Sequence, residues 1–443
     1  MPHIEWRGGT CRVKWWTGEH HPNGRRRYES KGGFTDETEA LNHGLDKESD
    51  IRNLRHVSRQ SGKITVKQWC ELWLKGIDVD STSYYSYRKL MRAQINPQWG
   101  DTLINEITTV AYRVWMKQLK AKYSDNYVKS IRMLFNMLMD DAVSHRPPLI
   151  GASPVPQESR RRGRYVRPAT EEKETVLTSD LHQLADNAQV VWGFTGYVFM
   201  LTTAYTGMRL GEMFGLRREF TYPNWPASDP DAERRKKALR RYEGEGMAAL
   251  RVQWQHKYVR DPLRPEEKGV PTLALPKYGS VRTLVIPPFL AELHRQLLES
   301  HDSEWVFPGM TGGSLLTTDF HTTYWKPVRD GADAREGRFA RPKIPPVEVF
   351  AGKRIHLVRH AHSPHLEEGG VPAVAIEARL GHIIQGVRGV YSDVTPEMER
   401  QVVSVLQARW EAERGEAGGD DRQPASQLPP SGGSRQGEVP GQE

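Results

Sequence analysis

The stretch Thr206-Gly-Met-Arg209-Leu-Gly-Glu212-Met-Phe-Gly-Leu216 places an arginine between a long apolar run and a glycine-flanked start. A guanidinium cannot shed its charge, so in a closed pocket it requires an anion. Upstream, Val190–Met208 is uncharged over 19 residues, near the lower limit of a membrane span. Its Thr, Gly and Tyr content instead predicts a buried helix within 190–216 and no membrane association. Downstream lies His356-Leu-Val-Arg359-His360, whose i, i+3 spacing puts His356 and Arg359 on one helical face, suited to holding a phosphate. Leu380-Gly-His382 follows, and Tyr391 comes nine residues after His382. Pro276-Lys277-Tyr-Gly279 sits between two strand-like pieces and reads as a hairpin turn projecting Lys277 outward. Each motif alone is common; their order and spacing together are not.

The remaining chain divides by texture. Residues 1–62 carry Arg12-Val-Lys14-Trp-Trp16, turn formers at Gly18 and Pro22-Asn-Gly24, and then Arg25, Arg26 and Arg27. Two or three short strands are predicted, followed by a helix over Thr35–Asn53, with Asp36 as N-cap and Ala40, Leu41, Leu45 and Ile51 inward. A basic β-ribbon is one element that fits the DNA major groove. Residues 63–150 switch to helical periodicity over Val66–Gly76 (behind Thr65), Ser83–Ile95, Thr109–Lys122 and Asn126–Val143. The last carries Val128, Ile131, Leu134, Phe135, Leu138 and Met139 on one face. Residues 151–170 are a basic, proline-flanked linker with Arg160, Arg161, Arg162 and Arg164. Residues 171–412 read as a larger mixed domain with apolar helices at 190–216, 288–299 and 372–381. Its predicted strands are Ala248–Tyr258, Pro271–Pro276 and Arg282–Ile286. Residues 221–247 read as a surface-loop insertion, and the composition of 413–443 predicts disorder.

Composition narrows the function classes. The chain has 443 residues, 37% hydrophobic, which excludes wholesale disorder. Lys and Arg number 63 against 55 acidic residues, a net charge of +8, which favours a polyanionic partner. With only Cys11 and Cys70, a disulfide scaffold and a four-Cys zinc site are excluded. The opening MPHIEWRGGT lacks an apolar run, so no secretory signal is expected.

Taken together, Arg209, Lys277, His356-x-x-Arg359, Leu380-Gly-His382 and Tyr391 resemble the tyrosine recombinase (phage integrase) family across nearly the whole chain. The resemblance implies a multidomain α+β protein. Its parts would be a sheet-plus-helix arm-type DNA-binding domain (1–62), an all-α core-binding domain (63–150) and a mainly α catalytic domain with a small antiparallel sheet (171–412). It implies a nucleophile at Tyr391 and a catalytic set of Arg209, Lys277, His356, Arg359 and His382, supported by Glu212. Leu357 and Val358 depart from the more usual Asp-Leu before Arg359. DNA contacts fall to Arg12, Lys14, Arg25, Arg26, Arg27 and the Arg160–Arg164 strap.

Phosphoryl-transfer physics agrees. Charge on the non-bridging oxygens calls for fixed cations, supplied by Arg209 and Arg359. Tyr391, a phenol of pKa about 10, needs those cations to favour its oxyanion. Lys277 is the candidate general acid for the 5′ leaving oxygen, and His356 and His382 would bind phosphate or shuttle the Tyr391 proton. A phosphotyrosine link conserves bond energy, so no cofactor or metal is expected. The expected partners are double-stranded attachment sites, a homotetramer assembled on DNA, and accessory proteins that bend DNA or set direction, in the bacterial cytoplasm at the nucleoid. Competing readings are a type IB topoisomerase, a non-catalytic DNA-binding regulator, and a metallohydrolase using His356, His360, His362 and His365, although Pro364 is expected to end the helix before His365.

Overall fold

The computed structural model describes residues 1–52, 62–156, 174–259, 269–309, 312–315, 320–337, 340–382 and 394–417. They fall into two compact units, one within Met1–Pro168 and one within Ala169–Glu443. The architecture is α+β with small antiparallel sheets.

In the first unit, β1 (His3–Arg7), β2 (Thr10–His20) and β3 (Arg26–Phe34) form an antiparallel meander. Strand alternation sends Cys11, Val13 and Trp15 inward, while Arg12, Lys14 and Trp16 take the other face. Helix α1 (Glu37–Arg52) covers the apolar face, and Asp36 caps it through the amides of Thr38 and Glu39. Ala40 and Gly44 make the buried side of α1, whereas Leu45, expected inside, is exposed. A larger side chain at 44 would collide with Pro2 and Val13, so the helix lies too close to the sheet for the stripe to extend further.

A second, separate core is all-helical. Thr65 and Gln68 form a reciprocal capping box at α2 (Val66–Gly76). The stretch expected to be one helix from Ser83 is α3 (Ser81–Leu90), a π turn (Met91–Ile95) and α4 (Asn96–Trp99). Helices α5 (Thr109–Lys122) and α6 (Asp125–Ser144) complete it. The predicted stripe of α6 is buried along its length, and Trp69 ties α2 to it by donating to the Leu138 carbonyl at 3.0 Å. Leu72 faces outward, off the buried Trp69–Trp73 side.

The second unit departs from expectation at several points. The apolar run does not form one helix to residue 216. Instead α7 (Thr178–Thr206) kinks at Gly193 and stops at Gly207, and a short α8 (Leu210–Phe214) follows. The kinked run belongs to the core of the second unit, and among the described residues no helix is long and apolar enough to cross a membrane. The 221–247 insertion is structured, not a loop. It supplies β4 (Thr221–Trp225) at the edge of the sheet and α9 (Ala232–Arg241). Tyr222, Trp225 and Tyr242 give it enough apolar area for a small core of its own.

The strand expected over Ala248–Tyr258 divides into β5 (Met247–Val252) and β6 (Gln255–Val259). Among the described residues, strand β6 pairs only with β7 (Val270–Ala274), while β5 pairs with β4 and β8 (Arg282–Val285). Lys277 therefore lies on a turn between two different sheets, not in a hairpin, because its flanking strands bond to other partners. Then come α10 (Pro288–Glu299), α11 (Lys326–Asp330), α12 (His356–Glu368), α13 (Ala373–Leu380) and α14 (Pro396–Ala417). Pro364 does not end α12: burial of His365 and Leu366 beyond it outweighs one missing backbone donor. Helix α14 runs past the expected boundary at 412, with Val402, Leu406 and Trp410 in the core and Trp410 stacked on Phe289 at 4.1 Å. The part of the tail from 418 onward lies outside the described residues.

Candidate active site

The site begins where α7 stops. Gly207 adopts φ 64°, and a Cβ there would come within 2.8 Å of His362 and Leu380. Only glycine lets the chain reverse at such close quarters, delivering Arg209 to the start of α8. The Arg209 amide donates to Glu212 Oε2 at 2.8 Å and its Nη1 donates to Oε1 at 2.9 Å. Arg282, at the start of β8, donates to both oxygens of the same carboxylate at 3.1 and 2.8 Å. Glu212 has no solvent exposure. Burial alone would raise its pKa, but Arg282 and Arg209 together outweigh that and lower it.

Arg359, in the first turn of α12, is buried. It donates to the carbonyls of Gly207 and Leu380, the latter at 2.6 Å, and to His382 Nε2 at 3.0 Å. Accepting at Nε2 puts the His382 proton on Nδ1, which faces Glu377 Oε2 at 2.6 Å. Arg209 Nη2 also reaches the Gly381 carbonyl at 3.3 Å. Carbonyls satisfy the hydrogen-bonding needs of Arg359 without cancelling its charge, whereas Arg209 shares the Glu212 carboxylate with Arg282. Burial, then the neighbouring Arg209, pulls the Arg359 pKa down to about 10.

His356 opens α12 with its ring edge-on to His360, centroids 4.5 Å apart. Desolvation, then His360, Arg359, Arg209 and His382, pushes its pKa down to about 4, so it is neutral at pH 7 although its ring keeps solvent access. Its two fellow histidines turn elsewhere. His362 pairs with the Ala204 carbonyl and Arg379, and His365 with the Val176 carbonyl at 2.9 Å. Half of the proposed metal quartet is thus committed to the core.

The structure brings together Arg209, Glu212, His356, Arg359 and His382. Lys277 sits on the exposed turn Lys277–Gly279, its ammonium 4.9 Å over the Tyr278 ring. That turn joins the cluster through Ser280, whose carbonyl accepts from Arg282 at 3.1 Å. Tyr391, Arg160, Arg161, Arg162 and Arg164 lie outside the described residues. Of the remaining cations, Lys14 pairs with Glu5, Arg27 with Glu19 at 3.1 Å, and Arg26 lies 5.2 Å over Trp16. Arg12 is half-buried on β2 and Arg25 is exposed ahead of β3.

Sequence reasoning missed Arg282, Arg379 and Glu377. Arg379 is buried and donates to His362 and to the carbonyls of Val285 and Tyr205. The signal available was an arginine inside an apolar segment, in Arg282-Thr-Leu-Val and Ala378-Arg379-Leu380, the same signal that singled out Arg209. An unneutralisable charge in such a context must have buried acceptors.

A cluster of this kind is suited to an anion. Arg209 and Arg282 hold the fully buried Glu212 carboxylate, Arg359 lies in the same cluster, and the imidazoles of His356 and His382 stand beside them. The fixed positive charge exceeds the fixed negative charge and is already oriented, which is the condition for stabilising charge that develops on oxygen.

The chain is similar to known proteins in sequence and in fold. Residues 65–120 match the phage integrase N-terminal SAM-like domain. The chain is 24% identical over 347 residues to the prophage phiRv2 integrase of Mycobacterium tuberculosis, covering 76% of this chain and 77% of the relative. It is 24% identical over 331 residues to the integrase of Mycobacterium phage FRAT1, covering 74% and 83%. Among solved structures, it aligns with a variant of the Tn1549 transposon integrase in complex with a circular intermediate DNA. That alignment has a TM-score of 0.51 at 15% identity and covers 79% of this chain and 99% of the other.

Proposed function

We propose that this chain, a tyrosine-type integrase by its fold, its SAM-like domain and its relatives, cleaves and rejoins DNA at specific sites through a 3′-phosphotyrosine at Tyr391. The observation that carries the reading is the Arg209–Arg359–His382 cluster, in which Arg359 donates to two carbonyls and to His382, and the two guanidiniums of Arg209 and Arg282 outnumber the one carboxylate they share. Its charge therefore remains available to the non-bridging oxygens of the scissile phosphate. Glu212 holds Arg209 in place, and Arg282 braces Glu212 from the other side. Neutral His356 can hydrogen-bond the phosphate, and Lys277, on a solvent-facing turn, can deliver a proton to the departing 5′ oxygen.

Residues 1–62 would contact arm-type sites, 63–150 and the catalytic domain would clamp the core site, and the basic linker 151–170 would lie against the DNA backbone between the two clamp halves. Strand exchange between two duplexes needs four active sites, hence a tetramer on DNA, with accessory proteins bending the DNA or choosing direction. Such a reaction runs where a bacterial chromosome lies, in the cytoplasm. The deciding experiment incubates the protein with nicked attachment-site duplex in EDTA and looks for an SDS-stable protein–DNA adduct through tyrosine. A type IB topoisomerase would instead relax supercoils without regard to sequence. Absence of any adduct would defeat both readings.

A further inference from the structure

The insertion that separates α8 from β5 carries a second concentration of charge, apart from the cluster around Glu212. Helix α9 reads AERRKKALRR, with six cations and one acid in ten residues. Its two faces use those cations differently. On the inner side Arg234 is spent on Asp229 and Asp231, at 2.8 and 3.0 Å, and Arg235 donates to the Asp229 carbonyl. At the C-terminal end Arg241 donates to the Val394 carbonyl. On the outer side Lys236, Lys237 and Arg240 are exposed, and among the described residues none of them has an ion-pair partner.

The outer face is rigidly presented. Tyr222, Trp225 and Tyr242 pack with Ala249 and Val285 of the sheet, and Ala238 of α9 and Val403 of α14 lean on them. The buried Asp229 closes the first turn, and Glu245 pairs with Arg400 at 2.9 Å beyond the last. Ordering three long cationic side chains on a braced helix of nearly three turns, with Glu233 the one acid of α9, costs self-repulsion that a polyanion would relieve.

Resting on the recombinase reading, we propose that Lys236, Lys237 and Arg240 form an additional contact to the sugar–phosphate backbone of duplex DNA, distinct from the phosphate-binding cluster at Arg209 and Arg359. At about 1.5 Å rise per residue the stripe spans about 6 Å. No aromatic residue lies within α9, so it offers no platform for stacking unpaired bases. The contact would be sequence-independent and would hold the catalytic unit on DNA without reading bases.

The test measures binding of the full chain to duplex across a salt series, with and without the attachment site, beside adduct formation at saturating DNA. The triple variant Lys236→Gln, Lys237→Gln, Arg240→Gln should flatten the slope of log K against log salt by about 0.9 for each phosphate no longer neutralised, equally on both duplexes. Its adduct rate at saturation should match the parent, which also shows that the variant is folded. Glu233→Lys, on the same outer face, should steepen the slope. Unchanged slopes in both variants would overturn the inference while leaving the recombinase reading intact. Failure of the parent chain to bind duplex at all would sink the recombinase reading and this inference together.

Discussion

Cations do opposite work in the amino-terminal module and in the pocket around Glu212. On the meander, Lys14 and Arg27 reach across the surface to Glu5 and Glu19, and Arg26 rides on Trp16 with its charge in water. In the catalytic unit, Arg359 and Arg379 are buried to within a few per cent and anchored by carbonyls, and Arg282 and Arg209 share one buried carboxylate. Surface charge of the first kind adjusts to a partner and is screened by salt. Charge of the second kind is oriented before any substrate arrives, because reorganising it would mean breaking buried hydrogen bonds. Net charge alone does not separate the two. What separates them is burial: the donors around Glu212 are fixed by buried carbonyls and one shared buried carboxylate, whereas those of the meander keep contact with water.

The strongest way to break this contrast is at the proposed nucleophile. Tyr391→Phe should abolish the covalent adduct while leaving the fold and duplex affinity in place, because only the attacking oxygen is removed. A residual adduct on a denaturing gel would transfer the nucleophile to another residue.

Next comes Lys277, a flexible ammonium on an exposed turn. Lys277→Ala should slow cleavage by on the order of 10²–10⁴ on normal DNA. A 5′-bridging sulfur at the scissile position leaves without a proton and should restore most of that loss. Arg209→Ala should not be rescued, since the charge it meets is on the non-bridging oxygens in both substrates. Equal rescue of the two variants would reduce Lys277 to a positioning cation.

Glu212 tests the buried side of the contrast. Glu212→Ala leaves the guanidiniums of Arg282 and Arg209 without their carboxylate and should cost about 3–5 kcal/mol in denaturant unfolding. The pH dependence has a definite sign. Folding lowers the Glu212 pKa from its ordinary 4.5, so this stabilisation is present above that value and fades as pH falls through the folded one. His356, held at about 4 against an ordinary 6.5, also loses stability on acidification, in the window between those two values. Histidine NMR should find His356 neutral at pH 6 in the unliganded protein, and an anion bound in the pocket should raise its pKa.

The smallest effect belongs to the meander. Arg27→Ala should change stability by less than about 1 kcal/mol, as for other exposed pairs, while lowering the salt dependence of arm-site binding. A large loss of stability there would erase the distinction between the two regions.

Much of the fold was legible in the chain itself. The helical stripe of Val128 to Met139, the Thr65 cap and the alternating Cys11-Arg-Val13-Lys-Trp15 strand needed only local periodicity, because each element buries one face and caps its own ends. Arg209, His356, Arg359 and His382 are singled out instead by the order and spacing of their motifs and by the family resemblance those motifs carry. Only the tertiary structure decided that Arg282 and Arg379 belong to the same buried network. Their partners are a carboxylate 70 residues away and carbonyls up to 174 residues away, separations no local pattern records. Tertiary packing also decided that Lys277 joins two sheets and that α12 runs through Pro364. It decided, too, that residues 221–247 fold against the sheet. In each case the outcome depended on which distant surface was available to bury a side chain or accept a hydrogen bond, and that is a property of the assembled core.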